Sequence, residues 1–441
     1  MSAHSSAQTP ARSFSQVRNE LLDRMEGFSP AYVAAVAACA AVVAWALFAW
    51  GYQIAFGIGH AGIRRPVYWG FYIVNFVFWI GISHAGTLIS AILRLTGAGW
   101  RKPVTRAAEA ITVFCLMIGA LFPLIHIGRT AYFYWMLPYP NDRLLWPNFR
   151  SPLVWDLTAI MTYLTGSVIY LYLPLVPDLA EIADRSTGRK RRIYRALSLG
   201  WTGSDRQWQA LERAMKLMAA MILAIAVSVH SVVAYDFAMS VAPTWHSTIF
   251  APYFVVGAIF SGIAALVLVM AALRKAMRLQ DYLRESHFAN LSKLLLLMSL
   301  VWLYFTFSEH LTTWYGNFPR EINVLNVREH GFYGLLFWTM VVCNFVIPLV
   351  LIGISRLRCI PTIVVSSVAV LVGMWLERFL IVVPTLSTPP LPSAWGTYMP
   401  SWIELSITAG TFAAMALLYL LFVKAFPIIA IWEYDEGIPA R

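Results

Sequence analysis

Residues 212–240 read ERAMKLMAAMILAIAVSVHSVVAYDFAMS. From Leu217 to Tyr235 no Asp, Glu, Lys or Arg interrupts the run. About 20 apolar residues of helix cross the hydrocarbon core of a bilayer, so this stretch is a membrane span. Asp236 then breaks the pattern one turn before the helix leaves the membrane. A charge-capable group at that depth costs roughly 2.5–3.5 kcal/mol on insertion scales, and it persists where it is partnered or used. Two further groups of this kind stand in apolar stretches, His126 in FPLIHIGR and Asp156 in SPLVWDL.

The rest of the chain has the same character. Of 441 residues, 59% are hydrophobic and 12% charged, with mean hydropathy +0.65. A soluble domain carries about 25% charged residues. Eighteen Trp and twenty Tyr suit rings anchored at both water–lipid boundaries. Ten stretches are long and apolar enough to span, near 31–56, 66–95, 107–134, 152–177, 212–240, 246–272, 290–316, 330–355, 360–383 and 402–426. The second, third, fifth and seventh are long enough to tilt or to project beyond the bilayer. The fold class expected is all-α, integral to the membrane.

With a cytoplasmic N-terminus, the tails and inner loops hold 25 Lys and Arg against 7 in the outer loops. The run Arg189, Lys190, Arg191, Arg192, Arg195 dominates this bias, which places both termini inside. The net charge of +11 follows from the same bias and from anionic lipid headgroups, so nucleic acid is not expected as a partner. The first thirty residues are polar and lack a short apolar stretch with a cleavage site, and read as a cytoplasmic tail. The outer loops are rich in Pro and aromatics (LPYPNDRLLWPNFRSP, APTWH, PTLSTPPLPSAWGTYMPSW), fit either for interfacial anchoring or for docking an external protein.

Direction along the chain then sets depth. The third span runs outward with His126 about two turns before its outer end. Asp156 lies one turn into the fourth span, and Asp236 one turn from the end of the fifth. All three fall in the outer third. Arg129, three residues after His126, is expected on nearly the same helical face, either orienting Asp156 or snorkelling at the boundary. His84, in GISHAGTLIS near mid-depth, reads as a relay element or as a histidine bonded to a neighbouring carbonyl. His230 lies six residues before Asp236 and faces elsewhere. Glu309 and His310 in TFSEHLTTW, with Glu377 and Arg378 in WLERF, add charge to the outer halves of the seventh and ninth spans. As sequence neighbours, Glu377 and Arg378 are expected to diverge, each pairing with another span.

Cys39, Cys115, Cys343 and Cys359 form no C-x-x-C pair, so the chain offers no iron–sulfur ligand set or haem attachment motif. Nor do the histidines show the paired spacing of a b-type cytochrome. An Asp/His/Asp cluster in lipid suits quinol oxidation, which releases two protons and two electrons. An imidazole and carboxylates accept hydrogen bonds from the quinol hydroxyls, and electrons leave to a redox centre in a partner.

At several motifs the sequence resembles the NrfD/polysulfide-reductase membrane-subunit family. They are GIRRPVYWGFYIVNFVFWIGISHAGTLISAILRL, RAAEAITVF, FPLIHIGR, PYPNDRLLWPNFRSPLVWDL, LSLGWTGSDRQWQ, VVAYDFAMS and WHSTIFAPYFVVGAIFSG. Within that family it is similar to the ActC group of bacterial alternative complex III. The resemblance implies two four-helix bundles, spans two to five (57–240, with the quinol pocket) and six to nine (241–383). Peripheral spans at 31–56 and 384–426, and cytoplasmic tails at 1–30 and 427–441, complete the chain. It implies a menaquinol or ubiquinol site at the periplasmic face of a bacterial inner membrane, formed by His126, Asp156 and Asp236 with Arg129 nearby. It also implies an iron–sulfur subunit on that face, c-type cytochrome subunits whose haems receive the electrons, a second NrfD-like membrane subunit and surrounding lipids. His84, Glu309, His310, Glu377 and Arg378 become candidates for a proton path. Two other readings compete, a quinone-reducing anchor of a polysulfide, sulfur or hydrogenase-type complex, and a proton-coupled transporter built around a midplane site.

Overall fold

The computed structural model describes residues 14–137 and 152–434. It contains ten helices long and apolar enough to cross a membrane: Pro30–Phe56, Phe71–Leu95, Thr105–His126, Val154–Arg185, Asp205–Ala238, Phe250–Ala276, Glu285–Gly316, Gly334–Gly353, Ile360–Ser387 and Trp402–Ala425. No strand occurs among the described residues. The chain is an all-α, multi-pass membrane protein.

Local chemistry explains where these helices start and bend. Ser29 caps the first span, its hydroxyl accepting from the Tyr32 amide, and Pro30 follows at the position where its missing N–H costs nothing. Ser204 with Gln207, and Ser401 with Glu404, form capping boxes at the fifth and tenth. The eighth span contains a π-turn at Val342–Val346, just before Pro348. Proline cannot donate to the carbonyl four residues back, that of Asn344. The Ser299 hydroxyl of the seventh span donates to that carbonyl instead, at 2.6 Å.

With spans two to five taken as a first group and spans six to nine as a second, the second and sixth spans pack on each other as closely as helices within either group do. Small residues permit close approach. A Cβ on Gly86 would lie 2.1 Å from the Ala108 carbonyl of the third span. The first and tenth spans pair with each other along one flank, where a Cβ on Gly410 would meet that of Ala46.

The tails are more structured than their polarity suggests. Phe14–Asp23 is helical, and Arg18 pairs with Glu181 at 3.3 Å. Residues 427–434, expected within a C-terminal tail, cover the first group of helices: Arg106 donates to the carbonyls of Pro427 and Ile429, and Asp178 accepts from the amides of Ile431 and Trp432. Glu433 meets Arg101 at 2.6 Å and Arg94 at 3.5 Å. Ile428, Ile429 and Ile431 are buried, and this supplies the apolar gain that a solvated tail would forgo. Both described chain ends therefore lie on one face of the helical array.

Candidate functional site

On the opposite face, the fourth span begins and the fifth ends. Asp156 stands in the second turn of a helix that starts at Pro152, and Asp236 in the last turn before Ala238. The packing of these two helices brings the carboxyl groups within hydrogen-bonding reach of each other, with Asp156 buried. Two carboxyls can bond directly only when one holds a proton, since ionised carboxylates are acceptors alone. Each also keeps an Oδ1 that is buried without a donor. Both carboxyls therefore have acceptor capacity left for a ligand hydroxyl.

His126 occupies the same face but a different setting. The third span is not one helix to residue 134. It breaks at Ala120, and its outer piece, Leu121–His126, ends at the histidine. Pro123 accounts for the break, because it cannot donate to the Gly119 carbonyl. Gly128 then turns the backbone with φ +75°. So His126 is the terminal residue of its helix, not two turns inside it. Its ring lies edge-on to Tyr72 with centroids 6.4 Å apart, and its Nδ1 is buried without a partner. Among the described residues no hydrogen bond or ion pair joins His126 to either aspartate. Arg129 is corrected as well: it lies past the helix end, in non-helical backbone, and is exposed. The shared helical face with His126 does not exist. Residues 138–151, which make up most of PYPNDRLLWPNFRSP, lie outside the described residues.

At mid-depth the sequence left His84 with two readings and His230 with no partner. The structure puts them together, ring centroids 4.5 Å apart. Nδ1 of His84 is 2.5 Å from the Ile80 carbonyl, and the Tyr163 ring lies tilted beside the imidazole with centroids 4.8 Å apart. No helical periodicity links positions on the second and fifth spans, so the pairing was invisible in the sequence.

The second group of helices holds its own buried charges. Glu309 meets Arg328 at 3.3 Å and His310 Nδ1 at 3.0 Å, and His310 Nε2 meets Glu329 at 3.1 Å. Arg328 was not anticipated, because it sits on the short helix Pro319–Glu329 between spans. Glu377 and Arg378 contradict the expectation that neighbours diverge. Their side chains converge at 3.1 Å, off the line of a hydrogen bond, while Glu377 also accepts from Trp302 Nε1 at 2.6 Å. Arg378 lies over Phe254, its guanidinium carbon 4.5 Å from the ring centre. Gly257 makes room, since a Cβ there would stand 2.6 Å from Arg378 Nη2. A small cavity of about 10 Å³, about the room of one water, is lined by Tyr253, Thr306, Glu309, His310, Arg328 and Glu377 among others.

Deeper toward the face of the chain ends, Glu109 accepts from Ser90 at 2.6 Å, and Arg106 pairs with Asp178 at 2.5 Å. All are buried. The motif RAAEAITVF carries Arg106 and Glu109, three apart on one helical face; their spacing was the available signal. No group of three or more His, Cys, Asp or Glu side chains that could hold a metal occurs among the described residues.

Comparison with known proteins agrees with this architecture. Over 409 residues the chain is 27% identical to a putative membrane subunit of a dimethyl sulfoxide reductase from Halobacterium salinarum, covering 87% of this chain and 88% of that one. It is 25% identical to a selenate reductase subunit of Mesobacillus selenatarsenatis, over 82% of this chain and 86% of the relative. An Hdr-like menaquinol oxidoreductase integral membrane subunit of Archaeoglobus fulgidus is 23% identical, over 94% and 98% respectively. The pattern of the polysulphide reductase NrfD family matches residues 59–390, and the chain belongs to that family.

Proposed function

We propose that this chain is the quinol-binding membrane subunit of a multi-subunit oxidoreductase, similar to alternative complex III, and that it oxidises menaquinol or ubiquinol near the periplasmic face. The single observation that carries the reading is the Asp156–Asp236 carboxyl pair on one face of the array, Asp156 buried and Asp236 half-buried, where a lipid-soluble substrate would enter between helices. A quinol hydroxyl donates to a carboxyl oxygen and its proton passes to the pair; His126 accepts the second. The two electrons leave to an iron–sulfur subunit docked outside, and from there to c-type cytochrome partners, so that quinol becomes quinone with two protons and two electrons released. Relatives named as reductase subunits, one of them a membrane subunit, and a further one named for menaquinol support electrons leaving the membrane pool. Those names also favour a second reading, in which the same pocket serves a reductase in place of a cytochrome chain.

The experiment is to substitute Asp156→Asn and His126→Ala in the assembled complex and to measure quinol oxidation. Large losses with assembly intact support the site, and full turnover in both variants removes it. Co-purifying multihaem c-type cytochromes would select the first partner set, and a molybdopterin protein the second.

Proton translocation is the finer part of the proposal. Its path would run through His84 and then Arg378, Glu377, Glu309 and His310, away from the quinol pocket. His230, beside His84 and near Arg378, fills the gap between the two groups of helices. Unchanged proton-to-electron ratios after apolar substitution of these residues would discard it.

A further inference from the structure

The first span faces outward along almost its whole length. Of its 27 residues only Ala49 and Gln53 are buried. A primary amide at membrane depth costs free energy unless both ends are satisfied, and both are. Gln53 Nε2 donates to the Ile125 carbonyl at 2.9 Å, and Oε1 accepts from the Tyr72 hydroxyl. The last four carbonyls of a helix lack intrahelical donors. Ile125 is the penultimate residue of the helix that ends at His126, so Gln53 supplies the donor that the broken third span has lost. Tyr72 is held by the same amide, and its buried ring stands edge-on to the imidazole at 78°.

The string continues on the other side of Tyr72. The amide of Phe71, an unpaired first-turn N–H, donates to Tyr398 Oη at 2.9 Å. Tyr398 in turn donates to Glu404 of the tenth span, whose other oxygen accepts from Gly62 and Ser401. Buried hydrogen bonds therefore run from the tenth span through the second and first to the residue before His126.

We infer that Gln53 and Tyr72 are positioning residues for His126, and that the peripheral spans belong to the quinol site through them. The inference rests on the reading of His126 as a quinol-site group. The Gln53 bond holds the backbone one residue before the imidazole, and the Tyr72 ring stands against the imidazole itself. A shift of about 1 Å in a reacting group costs up to about 10²-fold in rate.

The test uses the assembled complex with a short-chain quinol. Tyr72→Phe removes one oxygen and Gln53→Leu removes both bonds; recovery of the partner proteins on purification checks assembly. Each is expected to lower kcat roughly tenfold with KM changed less than about twofold, the signature of lost alignment. Placed on His126→Ala, neither is expected to add a further loss, because its effect passes through the imidazole. If Gln53→Leu fails to assemble, Tyr72→Phe alone decides. Wild-type turnover in Tyr72→Phe beside an inactive His126→Ala would overturn the positioning role and leave the site standing. Additive losses would also overturn it, assigning the pair to general packing. Full turnover in His126→Ala would remove the site reading and this inference with it.

Discussion

The imidazoles of His84 and His230, on the second and fifth spans, face each other with ring centroids 4.5 Å apart, and both are buried. At that distance in a medium of low dielectric, two positive rings repel strongly, so the pair holds at most one extra proton. In the proposed proton path the pair would take and return a single proton between the first group of helices and Arg378 of the second. His230→Phe keeps the volume and removes both nitrogens. The expected result in proteoliposomes is undiminished quinol oxidation with a lowered proton-to-electron ratio, and an unchanged ratio would leave the pair as packing.

Asp156 and Asp236 are expected to behave as one unit. Each single Asn variant should lower turnover by about 10²–10⁴-fold, the range for loss of a positioned proton acceptor. The double variant should cost little more than either single, because removing one member already ends proton sharing. Multiplying losses would show two independent acids.

Arg106 binds Asp178 and the carbonyls of Pro174, Pro427 and Ile429, all in the interior. Breaking a buried pair from one side strands the other charge, at about 3–5 kcal/mol. Arg106→Met should therefore lower the thermal midpoint in detergent and open residues 427–434 to protease. Replacing Asp178→Leu at the same time should recover part of the loss.

Glu329 stands outside the spans. Burial pushes its carboxyl up, but the hydrogen bond and charge of His310, with Arg328, overcome this and hold it below its ordinary value. A depressed carboxylate adds stability that is present above the ordinary value of about 4.3 and is lost as pH falls through the folded one. Melting curves from pH 6 downward should show destabilisation beginning below about pH 4.3, and Glu329→Gln should flatten that part of the profile.

All ten spans were legible in the sequence because apolar length alone defines them, and most ends agree to within a few residues. The third failed at its outer end. FPLIHIGRTAYFYW continues the apolar composition, while Pro123 and Gly128 quietly end the helix, leaving Arg129 and an exposed aromatic ridge from Tyr132 to Trp135. Depth was legible by counting, which placed His126, Asp156 and Asp236 near like ends of their spans but did not say which of them would meet. Rotation was not. His84 with His230, Arg328 with Glu309, and Gln53 with Ile125 are pairs between spans, set by how helices turn toward one another. Charge neighbours misled for the same reason. Glu377 and Arg378 point apart at Cα, but a long guanidinium stem over Phe254 reaches back.

Sidedness in the membrane, on which the outer location of the quinol site depends, can be read from one residue. Cys359 precedes the ninth span, is exposed, and lies on the face shared by both chain ends. Hydrogen bonding with Thr362 holds its thiol below the ordinary value, which favours the reactive thiolate near neutral pH. Cys39, Cys115 and Cys343 lie within spans, the second of them fully buried. A membrane-impermeant maleimide should therefore label Cys359 in inside-out vesicles and not in right-side-out spheroplasts, and Cys359→Ser should abolish the signal. Labelling from the periplasmic side would invert the protein. The Asp156–Asp236 pair would then open toward the cytoplasm, where electrons could not pass directly to an external cytochrome.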